Sequence, residues 1–529
     1  HGLADGAALL DLLRPHVEWV GANYDRLTAA PDDGSLSHDE DRLKAQLKEM
    51  GFADADWAAA RVAHWRDGTI RSLRSGASRE ALERLLPVLM PALATAPDPG
   101  RALNRLDDMI GRLPSAINFF KLLGARPGLV ELLAEILSHA PALADVLSRR
   151  VELLEGLIDA SAFDPVPPVE ILAQQFSALE AGEDYQALLD RVRQRVNDRR
   201  FALGVQIVRG GDPLEAGRGY GRVAEAAIEA LAGATVAEFE SAHGKVPGGE
   251  MVILALGRMG GGVLTHASDL DLVYLFTGDF LTESDGARPL GATQYFNRLG
   301  QRITNALSVS TAAGPLYEVD TRLRPSGAQG LLAVSLDSFA KYQREEAWTW
   351  EHLALTRARP VFGSPQARSA LEAILTETLQ RPRDFDELAR QAVKMRGDIA
   401  RHKPPASELD VKLVPGGLVD IEFLIHISQF HYRLGFDPDL GQALAELVAA
   451  GHLPAALIPA QELITRFLIV SRLVSPKSTE PPEATRPLVA RACGAADWEA
   501  LLESYAKARQ SVGDAWRALA APYQEDQHA

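Results

Sequence analysis

The sequence predicts an α+β fold, predominantly helical, in which a small mixed sheet is flanked by helical regions. Three observations carry this. Apolar residues recur at intervals of three and four through both ends of the chain, the period shortens near the middle to apolar runs bounded by glycine, and a proline cluster breaks the first helical stretch.

From residue 7 to about 162 the pattern is helical, as in Leu82, Leu85, Leu86 and Leu89, with breakers such as Asp98-Pro99-Gly100 between short segments. Asp164-Pro165-Val166-Pro167-Pro168 cannot continue a helix, because each proline removes an amide donor and restricts its predecessor. A domain boundary is expected there. Helices resume from about 169 to 242. Met251-Val252-Ile253-Leu254-Ala255-Leu256 and residues 270–276 then read as strands covered on at least one face, 316–322 as another strand and 331–335 as a weaker one. A helix is expected over 293–307. Beyond Pro360 the chain returns to helices, interrupted by a short strand or turn at 411–417. The expected division is a helical region over 1–163, a mixed α/β domain over 164–360 and a helical bundle over 361–529.

The length of 529 residues suits about three domains of ordinary size. The longest apolar stretches, such as 85–94, are short and carry Pro87 and Pro91, so no membrane span or secretory signal is expected. A formal charge of -16 opposes nucleic-acid binding and favours a protein or small-molecule substrate. One cysteine, Cys493, excludes an internal disulfide framework, and a cytoplasmic protein is expected. The first residues, His1-Gly2, lack an initiating methionine, so the start is expected to be a tag scar or the cut end of a longer chain.

The chemistry concentrates in Gly257-Arg258-Met259-Gly260-Gly261-Gly262, followed by Ser268-Asp269-Leu270-Asp271-Leu272. Alternation along a strand turns Asp269 and Asp271 to one face and Leu270 and Leu272 into the core. Two convergent carboxylates suit magnesium, which joins one or two carboxylates to substrate phosphates. The glycines offer amides, with Gly260 and Gly261 the expected phosphate contacts, and Ser268 adds a hydroxyl. The acidic pair alone equally fits a tight turn and a strand with solvated aspartates.

A second segment, Tyr317-Glu318-Val319-Asp320-Thr321-Arg322-Leu323-Arg324-Pro325, supplies a third carboxylate and two guanidiniums. On an extended strand Asp320, Arg322 and Arg324 share a face. Asp320 then completes the metal set and helps activate a nucleophile, while Arg322 and Arg324 hold leaving phosphates. The bland reading is a surface strand with an Asp-Arg pair.

The order Gly-Gly, Ser-Asp-Leu-Asp-Leu, then a strand bearing a third aspartate resembles the DNA polymerase β-like nucleotidyltransferase superfamily. Residues 317–330, Glu346-Ala347-Trp348-Thr349-Trp350-Glu351-His352 and 412–423 (KLVPGGLVDIEF) narrow the resemblance to bacterial glutamine synthetase adenylyltransferase, and within it to the C-terminal of two nucleotidyltransferase units. The resemblance implies AMP transfer from ATP to a tyrosine of glutamine synthetase with release of pyrophosphate, dependence on Mg2+ (two ions), and control by the PII signalling protein and glutamine. It also implies that residues 1–163 are the end of a preceding unit plus connecting regulatory helices. Family members carry an N-terminal unit that removes AMP by phosphorolysis, so attachment without removal is expected of this chain. The family often has Lys where Arg258 stands, which exchanges a point charge for a planar fork.

Other residues have competing readings. Trp348 and Trp350, two apart, do not share a helix face and are expected in the core. Arg357 and Arg359 raise the local positive potential or form a solvated edge. Asp420 and Glu422 diverge on a helix, and with Lys412 they either close the site or serve structure. His266 is expected to be a hydrogen-bonded loop residue rather than a general base. Two further functional readings are a nucleotidyltransferase with another protein or small-molecule acceptor, and a regulatory module without activity.

Overall fold

The computed structural model describes residues 35–157, 160–178, 184–311 and 314–523, so the helical pattern expected before residue 35 lies outside the described residues. The chain forms two compact units, parting between Ser138 and His139. It is α+β and mainly helical, with one five-stranded mixed sheet among the described residues.

In the first unit, helices at Glu40–Met50, Ala55–Arg66, Gly76–Ala94 and Pro99–Arg112 begin on Asp39, Asp54, Ser75 and Asp98, whose side chains accept backbone N–H groups of the first turn. Leu82, Leu85, Leu86 and Leu89 are buried on one side of their helix. That helix runs through Pro87 and Pro91, where the sequence reading broke the apolar stretch. Each proline removes one amide donor. The buried leucine stripe on either side offsets that loss.

In the second unit, residues 165–168 are non-helical, as their prolines require. Two long helices follow, α1 (Tyr185–Val208) and α2 (Pro213–His243), the second opened by Asp212 and by proline at its first position. The sheet comprises β1 (Met251–Ala255), β2 (Leu270–Phe276), β3 (Val319–Asp320), β4 (Ala333–Ser335) and β5 (Arg359–Phe362). β1 lies between β5 and β2, antiparallel to both. The other edge of β2 pairs in parallel with β3 near its start and with β4 near its end.

Helices cover both sheet faces, which explains why β1 and β2 read as continuous apolar runs. Tyr274 and Phe276 meet α3 (Ala292–Ser308), where the Phe276 and Phe296 rings stack at 4.5 Å. Val252, Leu254, Val273 and Leu275 share a core with α4 (Leu336–Glu345), α5 (Thr349–Leu355), α6 (Pro365–Gln380), α7 (Phe385–His402) and α8 (Leu418–Tyr432). The remaining helices of this layer include α9 (Leu440–Ala449), α10 (Leu457–Val474) and α11 (Trp498–Ala520).

Two sequence expectations need correction. The strand placed at 316–322 is two residues long, because the chain turns after Asp320. β5 was missed: Pro360 falls inside it, on the strand at the sheet edge, where a missing amide is tolerated. Of the strand or turn expected at 411–417 the turn is what forms, with Val414 and Leu413 amides donating to the Asp410 carbonyl.

Candidate active site

The site begins with the turn between β1 and β2. Gly257 has φ +54°, and a Cβ there would lie 2.3 Å from Asp271 Oδ2. A Cβ on Gly260 would lie 1.8 Å from the Arg357 carbonyl, so only glycine allows these approaches. Helix α2 fixes the following stretch: the Leu264 amide donates to the Gly217 carbonyl at 3.0 Å, and a Cβ on Gly221 would strike the Gly262 carbonyl at 2.3 Å.

β2 then alternates as expected. Leu270 and Leu272 are fully buried, whereas Asp269 is exposed and Asp271 half-buried. Asp271 stands on the face that carries Val273 and Leu275, the face covered by the C-terminal helices. Asp320 of β3 is its register partner. Asp269, Asp271 and Asp320 each offer an oxygen, and these atoms all lie within 4.8 Å of one another.

Burial, then repulsion from Asp269 and Asp320, pushes the Asp271 carboxyl up to about 6. Asp320 is held below the ordinary carboxylate range, chiefly by hydrogen bonds from Arg322. Three clustered carboxylates with one already strained by the others fit a hard divalent cation, whose charge relieves that repulsion.

Other residues named from sequence take different places. The amides of Gly260, Gly261 and Gly262 donate to the carbonyls of Leu256, Gly257 and Met259, so in this conformation they serve the turn. Ser268 Oγ accepts the Thr265 amide at 2.9 Å and closes a second turn. Arg322 donates its Nε and Nη2 to Asp320, with Nη2–Oδ2 at 2.5 Å; its side chain is 80% exposed, so water competes strongly for that pair. Arg324 is not on a strand face with Asp320: it donates to Thr321, Ala328 and Gly330 carbonyls and braces the loop.

The structure also assembles a cationic cluster from residues far apart in sequence. Arg357 donates to Glu422 at 2.6 Å from α8. Burial lowers Arg258 to about 10, Glu422 and Asp269 oppose the shift, and Arg357 and Arg472 add to it. Lys412 is lowered by loss of solvent and by Arg258 and Arg472, against Glu422 and Asp269. Burial alone would raise Glu422, yet Arg357, Arg258, His426 and Lys412 outweigh it and hold the carboxyl low. Three cations, Arg258, Arg357 and Lys412, therefore surround one buried carboxylate, next to Asp269 and Asp271. A surplus of positive charge beside a metal-type carboxylate set suits a polyphosphate.

Asp420 points elsewhere, pairing with Arg396 and accepting the Gly416 amide at 2.6 Å, which divides it from Glu422 as their spacing requires. Arg359 is also interior: it forks onto Glu225 with two contacts of 2.7 Å and donates to the Gly260 carbonyl. Trp348 and Trp350 are not core residues: they are 70% and 40% exposed. Glu351 is the buried member of that segment, accepting the Trp348 amide at 2.8 Å and the Tyr342 hydroxyl at 2.9 Å. Burial takes His266 down to about 3 and keeps it neutral.

Arg200 of α1 links the two acidic segments. One guanidinium nitrogen donates to the Leu316 carbonyl at 2.6 Å and the other to the His266 carbonyl at 2.8 Å, while the group lies 4.5 Å from the Tyr317 ring centre. Nothing in the local sequence around Arg200 marks this role.

Comparison with known proteins agrees with the geometry. The family model described as glutamate-ammonia ligase adenylyltransferase matches residues 130–374, and that described as GlnD PII-uridylyltransferase matches residues 387–520. The chain is 38% identical over 484 residues to a bifunctional glutamine synthetase adenylyltransferase/adenylyl-removing enzyme of Rhizobium meliloti, covering 89% of this chain and 49% of the relative. Relatives of the same name from Brucella suis and Caulobacter vibrioides are 37% and 35% identical, with 82% and 94% of this chain and 45% and 52% of the relative covered. The chain thus spans about half the length of the curated relatives it matches. With these matches and a carboxylate set on the expected strands, the chain belongs to the glutamate-ammonia ligase adenylyltransferase family.

Proposed function

We propose that this chain transfers AMP from ATP to a tyrosine hydroxyl of glutamine synthetase and releases pyrophosphate. The observation that carries this reading is the convergence of Asp269, Asp271 and Asp320 beside the Arg258, Arg357 and Lys412 cations, in a family named for that activity. The catalytic domain is assigned to residues 164–360, the covering bundle to 361–529, and a connecting, regulatory role to 1–163.

Asp269, Asp271 and Asp320 would hold Mg2+, two ions in the full reading. When bound, the metal would supply charge neutralisation at the phosphate oxygens and would lower the pKa of the attacking hydroxyl. The protein's own part is positioning. The cations beside Asp269 hold the negative triphosphate and stabilise the departing pyrophosphate. Asp320 is paired with the exposed Arg322; released from that pair, Asp320 would help activate the entering hydroxyl and Arg322 would hold the phosphates. The glycine turn keeps the backbone low enough for Asp271 to stand in the site.

Control by PII protein and glutamine belongs to the same reading; its support is the match of residues 387–520 to a family whose name includes PII. On this reading the reaction belongs to the cytoplasm, where ATP and glutamine synthetase would meet the chain. No described helix is long and apolar enough to cross a membrane.

The test is purified glutamine synthetase, α-labelled ATP and Mg2+, with and without a chelator, PII protein and glutamine. Label should appear on a tyrosine of glutamine synthetase, vanish with chelator and vary with the effectors. Absence of label on that protein in every condition overturns the assignment.

A further inference from the structure

A cavity of about 620 Å³ lies between the end of the helix Pro141–Leu147 with the residues that follow it, α1 and the loops that lead into Asp269 and Asp320, and none of the three carboxylates lines it. Arg149, Arg150 and Arg200 line it, and no acidic side chain does so among the described residues. Asp145 and Glu152 anchor two of these arginines without lining the space themselves: Arg149 lies 2.7 Å from Asp145 and Arg150 Nε lies 3.0 Å from Glu152. The cavity is therefore cationic by construction.

Two buried nitrogen atoms on its wall residues have no hydrogen-bond partner among the described residues, Nη1 of Arg150 and Nδ1 of His266. The Arg150 side chain is 14% exposed and is oriented by Glu152. A buried guanidinium N–H without an acceptor is costly, and native proteins rarely leave one. An oxyanion in the cavity satisfies it with a charge-assisted hydrogen bond. Beside the polar Asn197, Ser310 and Thr311, the lining also carries Val146, Phe201, Pro315 and Leu316, an apolar wall that favours a ligand with a carbon skeleton over a bare inorganic ion.

We propose that this cavity binds a small organic carboxylate, its oxyanion on Arg150 and Arg149 and its skeleton against Phe201 and Leu316. This goes beyond AMP transfer and does not depend on it, since binding is read without ATP or an acceptor.

The test is calorimetric titration of the full chain in metal-free buffer, with glutarate in one arm and inorganic phosphate in the other. Two variants accompany the wild type. Arg149→Gln/Arg150→Gln removes the charges, and Val146→Phe narrows the space with every charge kept; circular dichroism checks that each is folded. Glutarate should bind saturably at one site, more tightly than phosphate, and either variant should weaken it by about tenfold or more. Three results overturn the proposal: no saturable binding of glutarate, tighter binding of phosphate, or equal binding in wild type and both variants, which assigns the anion to the Arg258 and Lys412 cluster.

Discussion

Asp271 and Asp320 are register partners on adjacent parallel strands, and Asp269 stands two residues before the first of them. Their mutual repulsion is the strain that a divalent cation relieves. Asp269→Asn and Asp271→Asn should each lower AMP transfer at least about 100-fold while circular dichroism is unchanged. In metal-free buffer at pH 8, Asp271→Asn should also be more stable than wild type, by on the order of 2 kcal/mol, because it removes a buried charge crowded by like charges. Full activity in either variant, or a destabilised Asp271→Asn, refutes the metal role.

Arg200 holds the carbonyls of His266 and Leu316, three and four residues ahead of Asp269 and Asp320. Its loss frees both carboxylate-bearing segments without touching substrate. Arg200→Gln should therefore reduce kcat by roughly 10- to 100-fold and leave the KM for ATP within about twofold, since misplacement by an ångström costs about that much rate. Arg200→Lys, which can reach one carbonyl, should recover part of kcat. A rise in KM with kcat unchanged would show that Arg200 acts on ATP instead.

Much of this site was legible because it obeys local periodicity. Leu270 and Leu272 buried against Asp269 exposed and Asp271 half-buried is the alternation of a strand, and the divergence of Asp420 and Glu422 is the spacing of a helix. The expectation failed where the chain stopped being periodic. Arg324 shares no face with Asp320 because the strand ends at that aspartate, and the loop's own carbonyls take its guanidinium. Gly260 and Gly261 were read as phosphate donors from composition, whereas their amides close a turn. Trp348 and Trp350 looked like core because they are large and apolar, a rule that holds less well for one residue than for a pattern. Arg200, Arg357 and Glu422 act across 65 or more residues of sequence, and only the tertiary packing of α1 and α8 brings them to the site.

The cationic cluster predicts a division of labour. Among the described residues Lys412 has no ion-pair partner of its own in the way that Arg357 has Glu422, so its charge is available to a triphosphate. Lys412→Ala should raise the KM for ATP about tenfold and weaken inhibition by pyrophosphate to a similar degree, the value of one charge-assisted contact. Glu422→Ala should act on the fold, costing about 3 kcal/mol, because it leaves Arg357 and Arg258 buried without their carboxylate. Steady-state kinetics and urea denaturation separate the two. If Lys412→Ala left both constants unchanged, its place would be structural.

His426 makes the fold sensitive to acid. It is buried on α8, its Nδ1 2.8 Å from the Thr356 hydroxyl and 3.1 Å from Gln429 Oε1, and burial pushes its pKa down to about 4 although Glu422 opposes the shift. The unfolded chain takes up this proton near 6.5, the folded chain only near 4. Stability held by the neutral ring is therefore complete above about pH 6.5, is lost as the pH falls from there toward 4, and changes no further below that. Between pH 7.5 and pH 5 this single group should account for about 2 kcal/mol of lost stability. His426→Gln keeps a side chain able to bond Thr356 but cannot take the proton. Urea denaturation at the two pH values should show a fall smaller in the variant by that amount. The same fall in both proteins would show that other groups set the acid response, with His352, also lowered to about 4 by burial, the first to replace.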